Sequence, residues 1–321
     1  MLDRIRLQNF KTHRDTEIKL GRLTVLVGPN GAGKSSVLQA IQWAPDQPPA
    51  HLTQLARNGE TLGRCEIHLD GRFGDGQPWH VHPDENMLPY HRSQLKTELN
   101  PALLIPDPSR MAGPVPITST TPSLSTDGTG LADVIAAMHS DDETAFHALQ
   151  ASLRSVVPQV ERISIKRIKV ENDIAHALFF DVAGRKGIPA TQMSGGTLLA
   201  LAILALLHSP QRPRILLIDD IDHGLHPKAQ WDLLRQLRRL LAQYPDLQIV
   251  ATSHSPDLVD ELDPSEVIVM ALRPDGTSAA KPLTACPRED MLGVLRAGQL
   301  WSAVGEDWVT LESPLEAEPR A

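Results

Sequence analysis

The segment that most limits the possible folds of this chain is GPNGAGKSS, at Gly28–Ser36. It fits the pattern G-x-x-x-x-G-K-[ST], which carries meaning when a strand precedes it and a helix follows. The apolar run Leu23–Val27 predicts a buried parallel strand, and Lys34–Trp43 predicts the helix. Glycines let backbone N–H groups turn toward a phosphate, and a helix N-terminus favours its negative charge. The segment therefore predicts a nucleotide-binding α/β protein.

The residues of this loop have distinct expected roles. Lys34 is expected to reach the β- and γ-phosphates of ATP, and the Ser35 hydroxyl to coordinate Mg²⁺. An ordinary glycine-rich turn is the alternative. The expected nucleotide contacts in this segment are Gly28, Pro29, Asn30, Gly31, Ala32, Gly33, Lys34, Ser35 and Ser36.

Two acidic residues end an apolar run in the second half of the chain. The segment RILLIDDIDHGLHP, Arg214–Pro227, predicts a strand over Ile215–Ile218 that ends at Asp219 and Asp220. We expect Asp219 to hold Mg²⁺ through water and Asp220 to orient the attacking water. The alternative is a buried strand capped by acidic turn residues.

A histidine follows the next predicted strand. The segment IVATSHSPDLV, Ile249–Val259, places His254 one helix and one strand after Asp220. His254 should therefore emerge at the same edge of the sheet, where it can donate a hydrogen bond to the γ-phosphate. A lone structural or solvated histidine is the alternative.

A Ser-Gly-Gly tripeptide stands at the start of an apolar helix. The segment QMSGGTLLALAILALL, Gln192–Leu207, contains Ser194, Gly195 and Gly196. Serine is favoured at a helix N-cap, so a capping role is one interpretation. A second phosphate-binding helix terminus is the other, favoured by its position shortly before Asp219.

Strands and helices alternate in the second half of the chain, which indicates a parallel α/β sheet. The region from Gly71 to about Gly130 is rich in proline and is predicted as loops and short strands. We expect one ATPase domain over 1–321. Its predicted parts are an N-terminal lobe (1–76), a proline-rich insert with a helical lobe (77–160), a C-terminal lobe (161–311) and a frayed tail (312–321). The predicted strands are Glu17–Leu20, Leu23–Val27, Cys65–Leu69, Val160–Val170, Ala177–Val182, Ile215–Ile218, Gln248–Ala251 and Glu266–Met270; the predicted helices are Lys34–Trp43, Leu131–Met138, Glu143–Val156, Leu198–Leu207 and Lys228–Gln243.

Composition excludes several classes. The net charge of −8 argues against a protein coated in positive charge for nucleic acid, although a local basic strip remains open. The two cysteines, Cys65 and Cys286, provide no disulfide framework, and the start lacks the layout of a signal peptide. The longest apolar stretch, Leu198–Leu207, is too short for a membrane span. We therefore expect a cytoplasmic protein that does not cross a membrane.

The motifs GPNGAGKS, SGGT, LLIDD, DHGLHP and TSHSP together resemble the ABC-type ATPase heads of the SMC, RecF and OLD class. They resemble most the small stand-alone AAA-family ATPases related to that class. The resemblance implies a P-loop NTPase fold with a mostly parallel core sheet, an N-terminal antiparallel β region and a helical lobe. The opening LQNFKTH is similar to the first strand of the family, where residues matching Phe10, Lys11 and Thr12 approach the nucleotide.

The same resemblance implies a homodimer. In this family the signature serine and glycines contact the γ-phosphate bound by the other subunit, so Ser194–Gly196 would complete a site in trans. ATP binding would close a two-fold dimer around two Mg-ATP, and hydrolysis would reopen it. Asp222 and His223, in the loop that matches the family's D-loop, would lie near the dimer axis.

Departures from the family pattern limit what can be carried over. Asp220 stands where the family has Glu, and a shorter side chain predicts slow hydrolysis and a long-lived ATP-bound dimer. No long coiled coil separates the phosphate loop from the signature. The segment after His254 is too short for the TOPRIM nuclease domain of OLD proteins, so any nuclease or toxin activity is expected in a separate partner. The glutamine of the Q-loop is not identified among Gln42, Gln54 and Gln77.

Other segments have structural as well as functional interpretations. His80 and His82 alternate as metal ligands would, but solvated strand histidines do the same. Trp301 and Trp308 are expected to pack in the interior, with a partner-docking patch as the alternative. A basic strip on a strand is either a solvated edge or a DNA contact: Arg162, Lys166, Arg167 and Lys169.

Three functions are compatible with these motifs. The first is an ATP-dependent switch that acts with DNA in repair, genome maintenance or anti-phage defence. The second is an ATP-gated regulator of a separately encoded effector, without DNA binding. The third is the nucleotide-binding subunit of a membrane transporter, against which the SGGT signature and the NFKTH start weigh.

Overall fold

A computed structural model of the chain describes residues 1–45, 66–72, 76–81, 89–117 and 121–311. Gln54, Cys65, His82 and the predicted tail at 312–321 lie outside the described residues. No helix in the described part of the chain is long and apolar enough to cross a membrane.

The strands and helices are numbered in chain order. The strands are β1 (Leu2–Phe10), β2 (His13–Lys19), β3 (Leu23–Val27), β4 (Glu66–Arg72), β5 (Pro78–Val81), β6 (Pro101–Leu104), β7 (Val115–Pro116), β8 (Val160–Val170), β9 (Asp173–Val182), β10 (Arg185–Pro189), β11 (Ile215–Ile218), β12 (Gln248–Ser253), β13 (Val267–Leu272) and β14 (Ser278–Pro282). The helices are α1 (Lys34–Trp43), α2 (Pro89–Leu99), α3 (Pro108–Ala112), α4 (Leu131–Asp141), α5 (Glu143–Val156), α6 (Gly195–His208), α7 (Pro227–Gln243), α8 (Pro256–Val259) and α9 (Ala297–Val304). Short 3₁₀ turns lie at Ala190–Gln192, Pro264–Glu266, Leu283–Ala285 and Asp307–Thr310.

The first of two compact units comprises Met1–Asn100 and Gln248–Ala321. It contains an antiparallel sheet in the order β2-β1-β4-β5. It also contains the neighbouring strands β14, β13, β3 and β12, of which β13, β3 and β12 run parallel. Every residue of β3 is buried, as expected for an all-apolar strand in the middle of a parallel sheet.

The second unit, Pro101–Leu247, combines a parallel strand pair with antiparallel strands and helices. Strands β6 and β11 run parallel, whereas β9 pairs antiparallel with β8, β10 and β7. Helix α6 is apolar on all sides and almost completely buried. Helix α7 buries a leucine stripe, as the sequence predicts, at Leu233, Leu234, Leu237, Leu240 and Leu241.

Most predicted elements are confirmed, and the region after Gly71 contains the main error. That region was expected to hold only loops and short strands, but it also forms helix α2. Only Leu95 and Leu99 give α2 a visible apolar spacing, so its sequence carries little helical periodicity. Strand β6 is one of the short strands expected there, and it begins with Pro101, a position where a missing N–H is tolerated.

Candidate nucleotide site

The phosphate loop has a backbone that requires glycine. Gly28, Gly31 and Gly33 have φ angles of 138°, 81° and 95°, in the region that disfavours other residues. A Cβ atom on Gly28 would lie 2.0 Å from the carbonyl oxygen of Met270 in the neighbouring strand. The loop can therefore adopt this path between β3 and α1 only with glycine at these positions.

Lys34 places its ammonium group inside the loop. The residue is 5% exposed, and its Nζ donates hydrogen bonds of 2.9 Å to the carbonyl oxygens of Gly28 and Pro29. Burying a charge is unfavourable unless it is hydrogen-bonded, so these two carbonyls hold the cation in place. The arrangement presents one fixed positive charge beside the N-terminus of α1, which suits a phosphate group.

The outer part of the loop remains accessible. Pro29, Asn30 and Gly31 are exposed, and Ser35 and Ser36 in the first turn of α1 are partly exposed. The hydroxyl of Ser35 can thus reach a ligand at the helix terminus. These positions fit the roles expected for nucleotide and Mg²⁺ contacts, because hydroxyl oxygen is a ligand that Mg²⁺ accepts.

His254 lies at the same edge of the sheet as the loop. Strands β12 and β3 are parallel, and Ser253 pairs with Val27, the residue before Gly28. His254 therefore follows β12 at the point where the phosphate loop follows β3. The side chain is exposed, as the sequence-based role of a γ-phosphate contact requires.

The turn between β1 and β2 packs against the phosphate loop and α1. The Lys11 ammonium donates a hydrogen bond to Gln39 and lies 5.4 Å from the ring centroid of Trp43. Burial lowers the pKa of Lys11. The Oγ1 atom of Thr12 accepts a 2.7 Å hydrogen bond from Ser278. Lys11 thus contacts α1 itself, whereas Thr12 lies beside the loop.

His13 was not anticipated from the sequence. It is fully buried, and its Nε2 lies 3.2 Å from the carbonyl oxygen of Gly33. Burial lowers the pKa of His13 to about 4, so the ring is neutral at neutral pH and Nε2–H donates to the loop. A Cβ on Gly33 would lie 2.6 Å from this nitrogen. The only signal in the sequence is that His13 directly follows Lys11 and Thr12.

In the second unit, Ser194 caps helix α6 and remains exposed. Its Oγ accepts a 3.2 Å hydrogen bond from the Thr197 backbone N–H. Gly196 packs closely on the loop that follows β11, and a Cβ atom on Gly196 would lie 2.2 Å from the Gly224 carbonyl oxygen. The capping interpretation is therefore correct, and the exposed helix end leaves the phosphate-binding interpretation open.

Asp219 and Asp220 follow β11 as expected. The backbone N–H of Asp219 donates to the Leu104 carbonyl oxygen at 2.9 Å, which continues the β6–β11 pairing by one residue. Both aspartates are partly exposed. Asp220 has a φ of 53°, a left-handed conformation that Asp and Asn tolerate better than most residues.

Comparison with known proteins finds two family models and several relatives that match parts of the chain. Residues 4–76 match a family described as "AAA domain", and residues 121–260 match one described as "AAA domain, putative AbiEii toxin, Type IV TA system". The chain is 51% identical over 84 residues to the OLD nuclease of Thermus scotoductus, and 38% identical over 77 residues to the DNA double-strand break repair Rad50 ATPase of Thermoplasma acidophilum. These matches cover 24% and 23% of this chain, but only 16% and 8% of the relatives.

Solved structures show the same fold over most of the chain. An SMC head bound to the C-winged helix domain of ScpA matches with a TM-score of 0.60 at 14% identity, over 87% of this chain and 96% of that one. The SMC head domain from Thermotoga maritima matches with a TM-score of 0.51 at 15% identity, over 88% and 98%. The chain is therefore similar to ATPase domains of the SMC, RecF and OLD class. The predicted head fold is confirmed.

The motif residues of the chain are divided between the two units. The first unit brings together the phosphate loop, the turn at Lys11–His13, and His254. The second unit brings together the Ser194–Gly196 helix end and the loop that carries Asp219 and Asp220, through the contact of Gly196 with Gly224.

The other residues singled out in the sequence either have a structural role or have no role assigned to them. His80 forms a 2.5 Å ion pair with Asp70, and the described residues contain no group of three side chains that could hold a metal ion. Trp301 and Trp308 are buried, which confirms packing. Gln42 and Gln77 remain unassigned as the Q-loop glutamine.

Proposed function

We propose that this chain is a slow ATPase that binds Mg-ATP at Gly28–Ser36 and acts as a switch. The observation that supports it best is the buried Lys34 ammonium, held by two loop carbonyls beside the N-terminus of α1. Such a charge, in a cradle formed by glycines with positive φ, suits a triphosphate.

The remaining roles follow the motif order of the family. Lys34 binds the β- and γ-phosphates, and His254 donates a hydrogen bond to the γ-phosphate. Mg²⁺, held by Ser35 and Asp219, supplies charge neutralisation of the phosphates when bound. Asp220 accepts a hydrogen bond from the attacking water, which displaces ADP from the γ-phosphorus to give ADP and phosphate.

The assembly we propose is a homodimer around two Mg-ATP. Ser194, Gly195 and Gly196 of one copy would contact the γ-phosphate held by the other. The exposed N-cap Ser194, at the N-terminus of the 14-residue helix α6, supports this because a helix N-terminus attracts anions. ATP binding closes the dimer, and hydrolysis reopens it.

The nucleotide-binding role is tested by a pair of lysine variants. We expect Lys34→Ala to weaken Mg-ATP binding at least about tenfold, since hydrogen bonds to charged groups contribute about 1.5–3 kcal/mol. Lys19→Ala, which removes an exposed lysine of β2, is the matched control and should bind normally. Titration calorimetry with both variants would reject the proposal if their affinities were equal.

A DNA-related role is the first biological proposal. One relative is named as a nuclease and the other as a DNA double-strand break repair ATPase. Strand β8 carries four exposed cations: Arg162, Lys166, Arg167 and Lys169. DNA repair, genome maintenance or anti-phage defence would require ATP-dependent retention of DNA that weakens steeply with salt. Absence of retention on linear, circular and single-stranded DNA would exclude this role.

A regulator of a separate effector is the second biological proposal. The match of residues 121–260 to the AbiEii-related family and the net charge of −8 favour it. This role requires a protein partner in stoichiometric amount that co-purifies with the natural chain and is lost with Lys34→Ala. The same purification reports DNA and protein partners together, and so separates the two roles.

A further inference from the structure

The second unit contains a cavity that none of the nucleotide motifs lines. Its volume is about 350 Å³, at the lower end of the range for small-molecule sites. Half of its lining residues are apolar, and two of them are small alanines of helix α4. These apolar residues are Ile117, Pro122, Ala136, Ala137 and Ile165.

An aspartate–histidine pair forms part of the cavity lining. His176 of β9 and Asp133 of α4 line the cavity, and Nδ1 of the ring lies 2.5 Å from Oδ1 of the carboxylate. The side chains are only 17% and 12% exposed. Because the carboxylate accepts the Nδ1 hydrogen, it fixes the ring and leaves Nε2 as the nitrogen for any ligand.

An arginine stands next to this histidine. Arg167 of β8 is directly opposite His176 in the β8–β9 pairing, and it lines the same cavity. Among the described residues it has no hydrogen-bond or ion-pair partner. The acid in the cavity lining, Asp133, is paired with His176. The guanidinium of Arg167 therefore keeps its five N–H donors available, in a geometry that matches a phosphate or carboxylate.

Two further polar residues complete the lining. His139 and Ser140 lie near the end of α4. The ring of His139 is packed edge-on against Phe146, with centroids 4.7 Å apart, which restrains its orientation. The cavity lining thus combines an arginine, two oriented imidazoles and a hydroxyl with small aliphatic residues.

We propose that this cavity binds a small organic oxyanion, a phosphate or carboxylate group carried on an apolar body. Arg167 donates two hydrogen bonds to the anionic group, and His176 contacts it through Nε2. The apolar body lies against the aliphatic wall formed by Ala136, Ala137 and Ile165. The site is independent of the nucleotide site, so either can exist without the other.

The proposal is tested by NMR on the full chain with ¹³C-labelled histidine, using phenyl phosphate, benzoate and inorganic phosphate as probes. We expect phenyl phosphate or benzoate to shift the ring signals of His176, assigned with His176→Gln. The organic probe that binds should do so about tenfold more tightly than inorganic phosphate, because its ring removes apolar surface from water. Whichever head group is preferred identifies the ligand class.

Three variants separate the site from general attraction of anions. Arg167→Gln should weaken binding at least about tenfold. Arg162→Gln removes an exposed arginine from the opposite face of the same strand and should leave binding unchanged. Ala137→Leu should fill the cavity and exclude the organic probes. Equal losses in the two arginine variants, or no shift of the His176 signals with any probe, would overturn the proposal.

Discussion

The Nε2 atom of His13 lies 3.2 Å from the carbonyl oxygen of Gly33, and this contact joins the first β-turn of the chain to the phosphate loop. The ring is fully buried and its Nδ1 has no partner among the described residues. Gly33 immediately precedes Lys34, so the histidine supports the backbone from which the phosphate-binding lysine projects. The side chain therefore acts through the backbone of the loop.

The His13 contact predicts a pH dependence of stability. The pKa of His13 falls from 6.5 to about 4 on folding, because burial disfavours the charged ring. The unfolded chain therefore binds more protons below pH 6.5, and the contribution of His13 to stability is lost as pH falls from 6.5 toward 4. Between pH 7 and pH 5 the loss should be about 2 kcal/mol.

Chemical unfolding of the natural chain and of His13→Gln at pH 7 and pH 5 measures this term. The natural chain should lose about 2 kcal/mol more than the variant on acidification, since all other titrating groups are shared. His208→Gln removes a second histidine whose pKa is lowered by burial, and by the same linkage it should also lose less than the natural chain. Equal losses in the natural chain and His13→Gln would show that the ring is not buried in its neutral form.

At position 220, we expect the side chain that gives faster hydrolysis to be the one that fits the backbone conformation less well. The residue has a φ of 53°, which Asp adopts at lower cost than Glu. We expect Asp220→Glu to raise ATP turnover by up to about 10²-fold, because the longer side chain reaches the water. It should also lower the free energy of unfolding by about 1 kcal/mol.

Phosphate release at saturating Mg-ATP and chemical unfolding measure the two effects of Asp220→Glu. Asp222→Glu makes the same chemical change nearby without a positive φ and should leave stability unchanged. Unaltered turnover in Asp220→Glu would refute the explanation of slow hydrolysis.

Substitution of Gln248, a buried residue away from the phosphate loop, is expected to lower the stability of the fold strongly. Its Nε2 donates 2.7 Å hydrogen bonds to the carbonyl oxygens of Leu2 and Gly21, and its Oε1 accepts from the Leu2 N–H at 3.0 Å. Gln248→Leu would remove all three hydrogen bonds, two of them to the buried backbone of Leu2, and should cost about 3 kcal/mol. The exposed Gln243→Leu should change stability by less than about 0.5 kcal/mol. Thermal unfolding of both variants shows whether the Gln248 side chain stabilises the fold more than the exposed Gln243 side chain does.

Sequence patterns were informative where a local signal existed. The run Leu23–Val27 and the helix Lys34–Trp43 match the structure in full, because the apolar run and the glycines between the two elements mark where one ends and the other begins. Helix α5 and strand β11 also have the predicted bounds. Helix α2 lacked such a signal, since few of its residues are apolar.

Relationships between distant segments were not visible in the sequence. His13 and Gly33 meet only because the β1–β2 turn packs on the phosphate loop. Asp133 and His176 form a pair only because α4 lies against β9. Neither pair has a fixed spacing or motif, so a single sequence cannot indicate it. The left-handed backbone of Asp220 is likewise a product of the turn after β11.

The central claim is that Lys34 of one copy and Ser194 of another act on the same ATP. Lys34→Ala and Ser194→Arg would each disable both sites of a homodimer when present alone. A mixed dimer of the two variants retains one site with an intact Lys34 from one copy and an intact Ser194 from the other. The other site carries both substitutions.

Phosphate release from an equimolar mixture of the two variants is therefore the most direct measurement. The account predicts that the mixture hydrolyses ATP much faster than the sum of the rates of the two separate proteins. Its rate per protein molecule should also rise with protein concentration. Activity of the mixture equal to that sum, with each variant folded and the natural chain active, would contradict it.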